Sequence, residues 1–266
     1  MPDYALAGRT AIITGASAGI GLAVAHDLHA AGAKLVLNAR RADRVAALAD
    51  RLNVGQPGSA CSVPGDAADI AVIDRMLAAP REHFRTEPDA IIINAGRGLN
   101  GSVVTSDTGQ WEELVRTNLL GAAHLIRAAA KRLLAQVPAD QLGQAGSWRT
   151  KPRDIIILGS VVGRHVSPFS SMYGSTKFAV HGLAEGARRE LGPKGIRVTL
   201  IEPGFVVSEF QGVAGYDQAW FDSMKEKFAP MLEPEDVART ISFVLAQPAH
   251  VHVSDILVRP TRQDYP

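Results

Sequence analysis

The sequence predicts a single-domain, doubly wound α/β fold with a mostly or wholly parallel central sheet and helices on both faces. Short β-branched or Leu-rich runs recur along the 266 residues, and between them lie segments whose apolar residues follow helical spacing. Strands that alternate with helices imply right-handed crossovers and parallel pairing. The alternation continues from residue 10 to residue 258 with no Pro/Gly/Ser-rich linker. Although the length would permit two domains, the reading is therefore one domain over 1–266.

The elements follow in order. A strand over 10–14 leads to a helix over 22–31, and a strand over 34–38 leads to a helix over 43–52. A helix over 70–79 precedes a strand over 90–94. The longest helical pattern, 111–134, precedes a strand over 154–158. A helix over 176–191 then leads to a strand over 196–201, and a helix over 235–246 to the last strand, 256–258. Each strand is too short for a helix and too apolar for one wet face, which is what a sheet covered on both sides requires. Two stretches break the rhythm. Residues 137–153 are polar, contain Gly and Pro, and predict a surface insertion. Residues 205–232 carry Phe205, Phe210, Trp220, Phe221 and Met224 beyond the carboxyl end of a strand, where such a fold binds its ligands, and predict a segment covering the substrate.

Composition excludes several functions. With 28 Lys+Arg against 27 Asp+Glu the net charge is +1, so no strong field draws the chain to nucleic acid or an anionic membrane. The only cysteine, Cys61, can form neither an intramolecular disulfide nor a cysteine metal cluster. The first residues lack a basic region followed by an apolar stretch, and no apolar run reaches the ~20 residues needed to span a bilayer. The expectation is a cytoplasmic protein. His250 and His252 have the i, i+2 spacing that turns both side chains one way along a strand, but no acidic or cysteine partner is evident, so no metal is expected.

The first strand runs into Thr14-Gly15-Ala16-Ser17-Ala18-Gly19-Ile20-Gly21, followed at once by a helix. Glycines here allow a tight turn and close backbone approach to a pyrophosphate lying on the free N–H groups of the helix start. The strand-before, helix-after context makes this a dinucleotide loop of the Rossmann type, although its spacing is G-x-x-x-G-x-G rather than the commoner G-x-G-x-x-G. The bland alternative is three glycines making a strand–helix turn and nothing more. After the second strand, an NAD enzyme would place an Asp or Glu for the ribose hydroxyls, whereas this chain has Ala39-Arg40-Arg41. Two guanidiniums can meet a 2′-phosphate in fork geometry, so NADP(H) is favoured over NAD. The competing reading is that one or both arginines are solvated residues of the next helix.

Tyr173 and Lys177 are four apart and share a helix face, and Ser160 lies thirteen residues before Tyr173. An ammonium beside a phenol favours the phenolate; bringing a tyrosine from ~10 toward ~7 takes about 4 kcal/mol and makes it a usable acid or base. Tyr-x-x-x-Lys alone is nearly uninformative. Its weight comes from its order behind Ser160 and the glycine loop.

With these motifs the chain resembles the short-chain dehydrogenase/reductase superfamily over essentially its whole length. The matching residues are Thr14-Gly15 to Gly21, Asp66, Asn94-Ala95-Gly96, Asn118 within Thr117-Asn118-Leu119-Leu120-Gly121, Gly159-Ser160, Tyr173-Gly174-Ser175-Thr176-Lys177 and Pro203-Gly204. The resemblance implies a tetrad. Tyr173 would exchange a proton with the substrate oxygen and Ser160 would hold that oxygen. Lys177 would bind the nicotinamide ribose and lower the tyrosine pKa, and Asn118 would order a water relay to Lys177. It also implies a cofactor site of Gly15, Ser17, Gly19, Ile20, Gly21, Arg40, Arg41, Asp66, Ala67, Asn94, Ala95, Gly96, Tyr173, Lys177, Pro203, Gly204, Val206 and Ser208. Within that set Asp66 would sit at the adenine, Asn94 would support the central strand, and 203–206 would run along the nicotinamide.

Three departures stand out. The usual Asn-Asn-Ala-Gly reads Ile93-Asn94-Ala95-Gly96, Ser208 stands where a threonine is common, and the stretch between Asn118 and Ser160 is longer than usual. The ending 254–263 (SDILVRPTRQ) is similar to the branch containing NADP-dependent serine or 3-hydroxy acid dehydrogenases and some biosynthetic aldehyde reductases. The apolar face Phe178, Leu183, Ala187 and Leu191 is core or subunit interface, and the resemblance implies a homotetramer.

The expected function is reversible hydride transfer between NADP(H) and a small secondary alcohol/ketone or aldehyde, a hydroxy acid included, with Tyr173 as proton donor and acceptor. Two alternatives stand: a non-catalytic NADP-binding sensor, and an epimerase or dehydratase that retains its nucleotide. Arg97, Arg164 and His165 follow strand ends and are candidates to meet an anionic group of the substrate, or else are solvated loop residues.

Overall fold

The computed structural model describes residues 6–137, 151–165 and 167–265. Seven strands form one sheet: β1 (Thr10–Thr14), β2 (Lys34–Asn38), β3 (Ala60–Ser62), β4 (Ala90–Ile93), β5 (Asp154–Leu158), β6 (Arg197–Pro203) and β7 (Asp255–Val258). Their order is β3-β2-β1-β4-β5-β6-β7, and every pairing is parallel. The chain works outward in one direction from β1 to β3 and in the other from β4 to β7. A crevice therefore opens beyond the carboxyl ends of β1 and β4, where the order reverses. The sequence pattern reveals six of the seven strands. It does not reveal β3, whose three residues Ala-Cys-Ser are too few and too weakly apolar to announce a strand.

The helices are α1 (Gly19–Ala30), α2 (Ala42–Gly55), α3 (Ile70–Ala79), α4 (Trp111–Val115), α5 (Ala122–Leu134), α6 (Ser171–Leu191), α7 (Phe210–Ala214), α8 (Gln218–Phe228) and α9 (Pro234–Leu245). They cover both faces of the sheet. Ile12 and Ile13 are both fully buried, yet they enter different layers because successive strand residues point to opposite faces. Ile13 packs with Val24 and Leu28 of α1, Val45 and Leu48 of α2, and Ile241 of α9. Ile12 packs with Met76 of α3, Leu125 of α5 and Val180 of α6. Burial on both faces explains the near-continuous apolar character of β1, β4 and β5.

The expected helix over 111–134 is realised as α4 and α5 joined by a wide π-helical turn, Arg116–Gly121. Such an insertion re-aims side chains without ending the helix, and here it carries Asn118. At the opposite, amino-terminal end of the strands the buried Asp154 accepts from Arg197 Nε and Nη2 at 2.7 and 2.8 Å and from Arg9 Nη2 at 2.7 Å. Removing one partner of such a buried pair typically costs about 3–5 kcal/mol. Among the described residues no helix is long and apolar enough to cross a membrane. Of the expected insertion 137–153, residues 138–150 lie outside the described residues.

Candidate active site

The glycine loop joins β1 to α1 with the backbone conformations its residues allow. Gly15 has φ +70° and Gly19 has φ +52°, both in the left-handed region. Gly21 is needed for proximity: a Cβ there would lie 2.3 Å from the Gly15 carbonyl oxygen and 2.6 Å from Asn94 Nδ2. Asn94 in turn donates from Nδ2 to the Thr14 carbonyl at 2.9 Å, and its backbone N–H donates to Thr14 Oγ1 at 3.0 Å. The ends of β1 and β4 are thus tied together directly beneath the loop.

A cleft of about 540 Å³ opens above this loop. Every residue expected at the cofactor lines it, with the exception of Gly21, which lies beneath. The cleft fits a dinucleotide, because a helix start with a Cβ-free approach lies at its centre. Arg40 and Arg41, just beyond β2, line it as well. Arg41 donates from Nε and Nη2 to Ser17 Oγ at 3.2 and 3.0 Å, and from Nη1 to Glu209 at 2.8 Å. Arg44 reaches the other oxygen of Glu209 at 3.1 Å. Sequence reasoning missed Glu209, which crosses the cleft from the segment after β6 and gives no local signal of its partners. Asp66 accepts from the Ala68 amide at 2.9 Å and pairs with Arg116. Burial alone would raise its pKa, but those bonds hold it below the usual carboxylate range.

At the other end, α6 presents Tyr173 and Lys177 on one face, both buried. Ser160 lines the same cleft as Tyr173 and acts on its phenol in the direction that lowers the pKa. Lys177 Nζ lies 5.8 Å from the centre of the Tyr173 ring and donates to the Leu158 carbonyl at 2.7 Å. Asn118 lies one layer behind the cleft. Its Oδ1 accepts from the Arg97 amide at 2.9 Å, and its Nδ2 donates to the Arg97 carbonyl at 2.9 Å and to Thr176 Oγ1 at 3.1 Å. It thereby fixes the strand end after β4 to the helix that carries Tyr173. Thr176 gives no separate signal in the sequence because it does not face the cleft.

Electrostatics differ from expectation in one respect. Burial, partly offset by the nearby Ser160 side chain, pushes the Tyr173 phenol above its ordinary value instead of toward neutrality. Burial also lowers the Lys177 ammonium to about 8, at which it stays mostly protonated at pH 7.

The remaining candidates separate clearly. Arg97 borders the cleft with its guanidinium on the Gln110 side chain. Arg164 turns away, donating from Nε to the buried Glu202 at 2.5 Å and pairing with Asp255. His165 approaches Arg259 at 3.3 Å. Neither Arg164 nor His165 lines the cleft, so their expected place at the pocket mouth is corrected; two carboxylates near β6 and β7 capture Arg164. His252 is half-buried, with Nε2 2.9 Å from the Val198 amide nitrogen and 2.8 Å from the Val198 carbonyl oxygen. The C-terminal stretch closes the floor: Gln263 Oε1 accepts from the Phe205 amide at 3.0 Å.

Residues 9–218 match the family model described as short chain dehydrogenase. The chain belongs to that family. An uncharacterized oxidoreductase of Staphylococcus aureus is 30% identical over 255 residues, covering 96% of this chain and 98% of that one. An uncharacterized oxidoreductase of Staphylococcus epidermidis is 32% identical over 255 residues, with coverage of 95% and 97%. Among solved structures, a serine dehydrogenase complexed with NADP+ superposes with a TM-score of 0.82 at 27% identity over 96% of both chains. An L-sorbose reductase from Gluconobacter frateurii, complexed with NADPH and L-sorbose, gives 0.81 at 25% identity, covering 99% of this chain and 100% of that one. This short-chain dehydrogenase is accordingly an NAD(P)-dependent oxidoreductase acting on CH–OH groups.

Proposed function

We propose that the enzyme interconverts a ketone or aldehyde and its alcohol with NADP(H), Tyr173 giving and taking the proton. The observation that carries this reading is that Ser160, Tyr173 and Lys177 line the same cleft as the glycine loop and Arg40–Arg41. When bound, the nicotinamide supplies or accepts the hydride. Ser160 holds the substrate oxygen against the Tyr173 hydroxyl. A phenol raised by burial keeps its proton at neutral pH, which suits it to protonate a carbonyl oxygen during reduction. Lys177 binds the nicotinamide ribose, and Asn118 keeps Arg97 and Thr176 in register around it.

Arg40 and Arg41 take the 2′-phosphate. No carboxylate stands at the end of β2, and two structural relatives are complexes with NADP+ or NADPH. Residues 205–232 cover the substrate, and assembly as a homotetramer in the cytoplasm belongs to the same reading.

The test follows absorbance at 340 nm with NADPH and with NADH over a panel of carbonyl compounds. Net NADPH consumption is expected, and a nucleotide recycled without net change contradicts the reading. Replacing Arg40 and Arg41 together by alanine should weaken NADPH by roughly 10- to 100-fold, the worth of one charge-assisted contact, and NADH far less. Equal loss for both cofactors rejects the 2′-phosphate assignment.

A further inference from the structure

We infer that the substrate carries a carboxylate beside its reacting carbonyl and that Arg97 is the residue that receives it; this deepens the NADPH-reductase reading and rests on it. Arg97 lines the cleft, and its backbone is pinned there. Asn118 accepts from its amide and donates to its carbonyl, both at 2.9 Å. The glycines on either side show what surrounds it. A Cβ on Gly96 would stand 4.0 Å from Lys177 Nζ, and one on Gly98 would stand 2.6 Å from Cζ of Phe210. The Phe210 ring in turn lies 5.5 Å from the Tyr173 ring. A guanidinium carried between those two glycines belongs to the same end of the cleft as the proton donor.

No carboxylate neutralises this guanidinium. Among the described residues it meets one uncharged acceptor, the Gln110 side-chain oxygen, and its Nε is buried with no partner. Gln110 Nε2 donates to Asp107 at 2.9 Å, which turns the amide oxygen toward Arg97, while the Asp107 carboxylate itself stands in solvent. The two carboxylates that line the cleft are committed elsewhere, Asp66 to Arg116 and Glu209 to Arg41 and Arg44. Lys177, the other cation at this end, donates to the Leu158 carbonyl and likewise has no counter-ion. A partly buried positive charge with an unmet N–H costs free energy, and a substrate anion offsets that cost. The planar fork of a single guanidinium matches a carboxylate, which carries one negative charge; a phosphate dianion would call for a second cation, and Lys177 is already assigned to the ribose. The carboxylate takes no part in the bond changes. One hydride from NADPH adds to the carbonyl carbon and one proton from Tyr173 to its oxygen, giving the hydroxy acid and NADP+.

The test uses matched pairs, pyruvate with methyl pyruvate and acetoacetate with methyl acetoacetate, which differ only in whether the group beside the ketone is charged. With NADPH and the full-length enzyme, kcat/KM for the better acid should exceed that for its ester by about 10- to 100-fold, the scale of one charge-assisted hydrogen bond. Arg97→Gln should abolish that preference through KM, Arg97→Lys should keep part of it, and both should leave NADPH affinity unchanged. A second readout needs no turnover. With NADP+ present, the thermal midpoint should rise on adding lactate or 3-hydroxybutyrate and not on adding their methyl esters, and the rise should be missing in Arg97→Gln. Equal or better use of the esters, or no thermal shift from either acid, overturns the inference while leaving the reductase reading intact. A preference for the acids that survives Arg97→Gln also overturns it, as does better use of dihydroxyacetone phosphate than of either acid. If Arg97→Gln weakens NADPH as much as it weakens the acids, the guanidinium serves the nucleotide and the inference falls. Absence of any NADPH shift in the wild-type protein overturns the reading on which it rests.

Discussion

The two walls of the cleft are built by opposite means. On the phosphate side, β1, the glycine loop and α1 are fixed by backbone: the loop's left-handed glycines and the Gly15–Gly21–Asn94 approach leave no room for a side chain. On the substrate side, the short α7 and α8 are held by side chains, chiefly the rings of Phe205, Phe210, Tyr216 and Trp220. Backbone geometry suits the ligand part proposed to lie on this loop, the pyrophosphate. Ring packing suits a part that differs between relatives, because one ring can be exchanged without moving a strand. The crossing contact is Glu209, which ties the segment after β6 to Arg41 and Arg44 beyond β2.

Single methyl groups sharpen this contrast. Gly21→Ala forces a Cβ to within 2.3 Å of the Gly15 carbonyl, and should cost about 1–3 kcal/mol of stability by overpacking and weaken NADPH binding. Thermal unfolding and cofactor titration measure both; an unchanged midpoint and affinity would mean that the loop is not a rigid cradle.

Lys177 stands at the seam between the walls, and its effect should be intermediate. Its folded value of about 8 lies below its ordinary 10.5. Between those values the unfolded chain holds the proton that the folded chain has lost, so stability should rise with pH through this window. The gain has an upper limit of about 1.4 kcal/mol per pH unit, and should be missing in Lys177→Met. Parallel denaturant titrations of the two proteins at pH 8 and pH 9 give the comparison; identical pH dependence removes Lys177 as the cause.

The smallest effect belongs to the substrate side. Gly212 in α7 has open space where a Cβ would stand, so Gly212→Ala should leave stability within about 0.5 kcal/mol, or raise it through helix propensity. A loss as large as that of Gly21→Ala would erase the distinction between the walls.

The same division separates what is legible in the amino-acid sequence from what is not. Strand and helix order is legible because fully buried strands such as Ile91–Ile93 are continuous apolar runs, and helices such as α9 keep one apolar face. That the glycine loop, Arg40, Arg41, Ser160, Tyr173 and Lys177 gather in one cleft is legible because each lies at or near the carboxyl end of a strand within one or two neighbouring elements. Contacts that close over long sequence distances are not. Thr176 meets Asn118 across 58 positions, Glu209 meets Arg41 across 168, and Gln263 meets Phe205 across 58. Tyr216 is silent for a related reason, since only the fold stacks it on Trp220. The wide turn at Arg116–Gly121 preserves helical periodicity on either side, so the sequence shows one uninterrupted helix there.

The most direct test of the account is Tyr173→Phe, assayed for NADPH oxidation at 340 nm with a turned-over carbonyl compound while NADPH affinity is measured separately. Removing only this hydroxyl, which lines the cleft with Ser160, should lower kcat by about 10³-fold, within the range expected for a positioned general acid, and leave NADPH affinity within about twofold. Turnover at the wild-type rate would contradict the assignment of Tyr173 as the proton donor, and with it the mechanism proposed for this cleft.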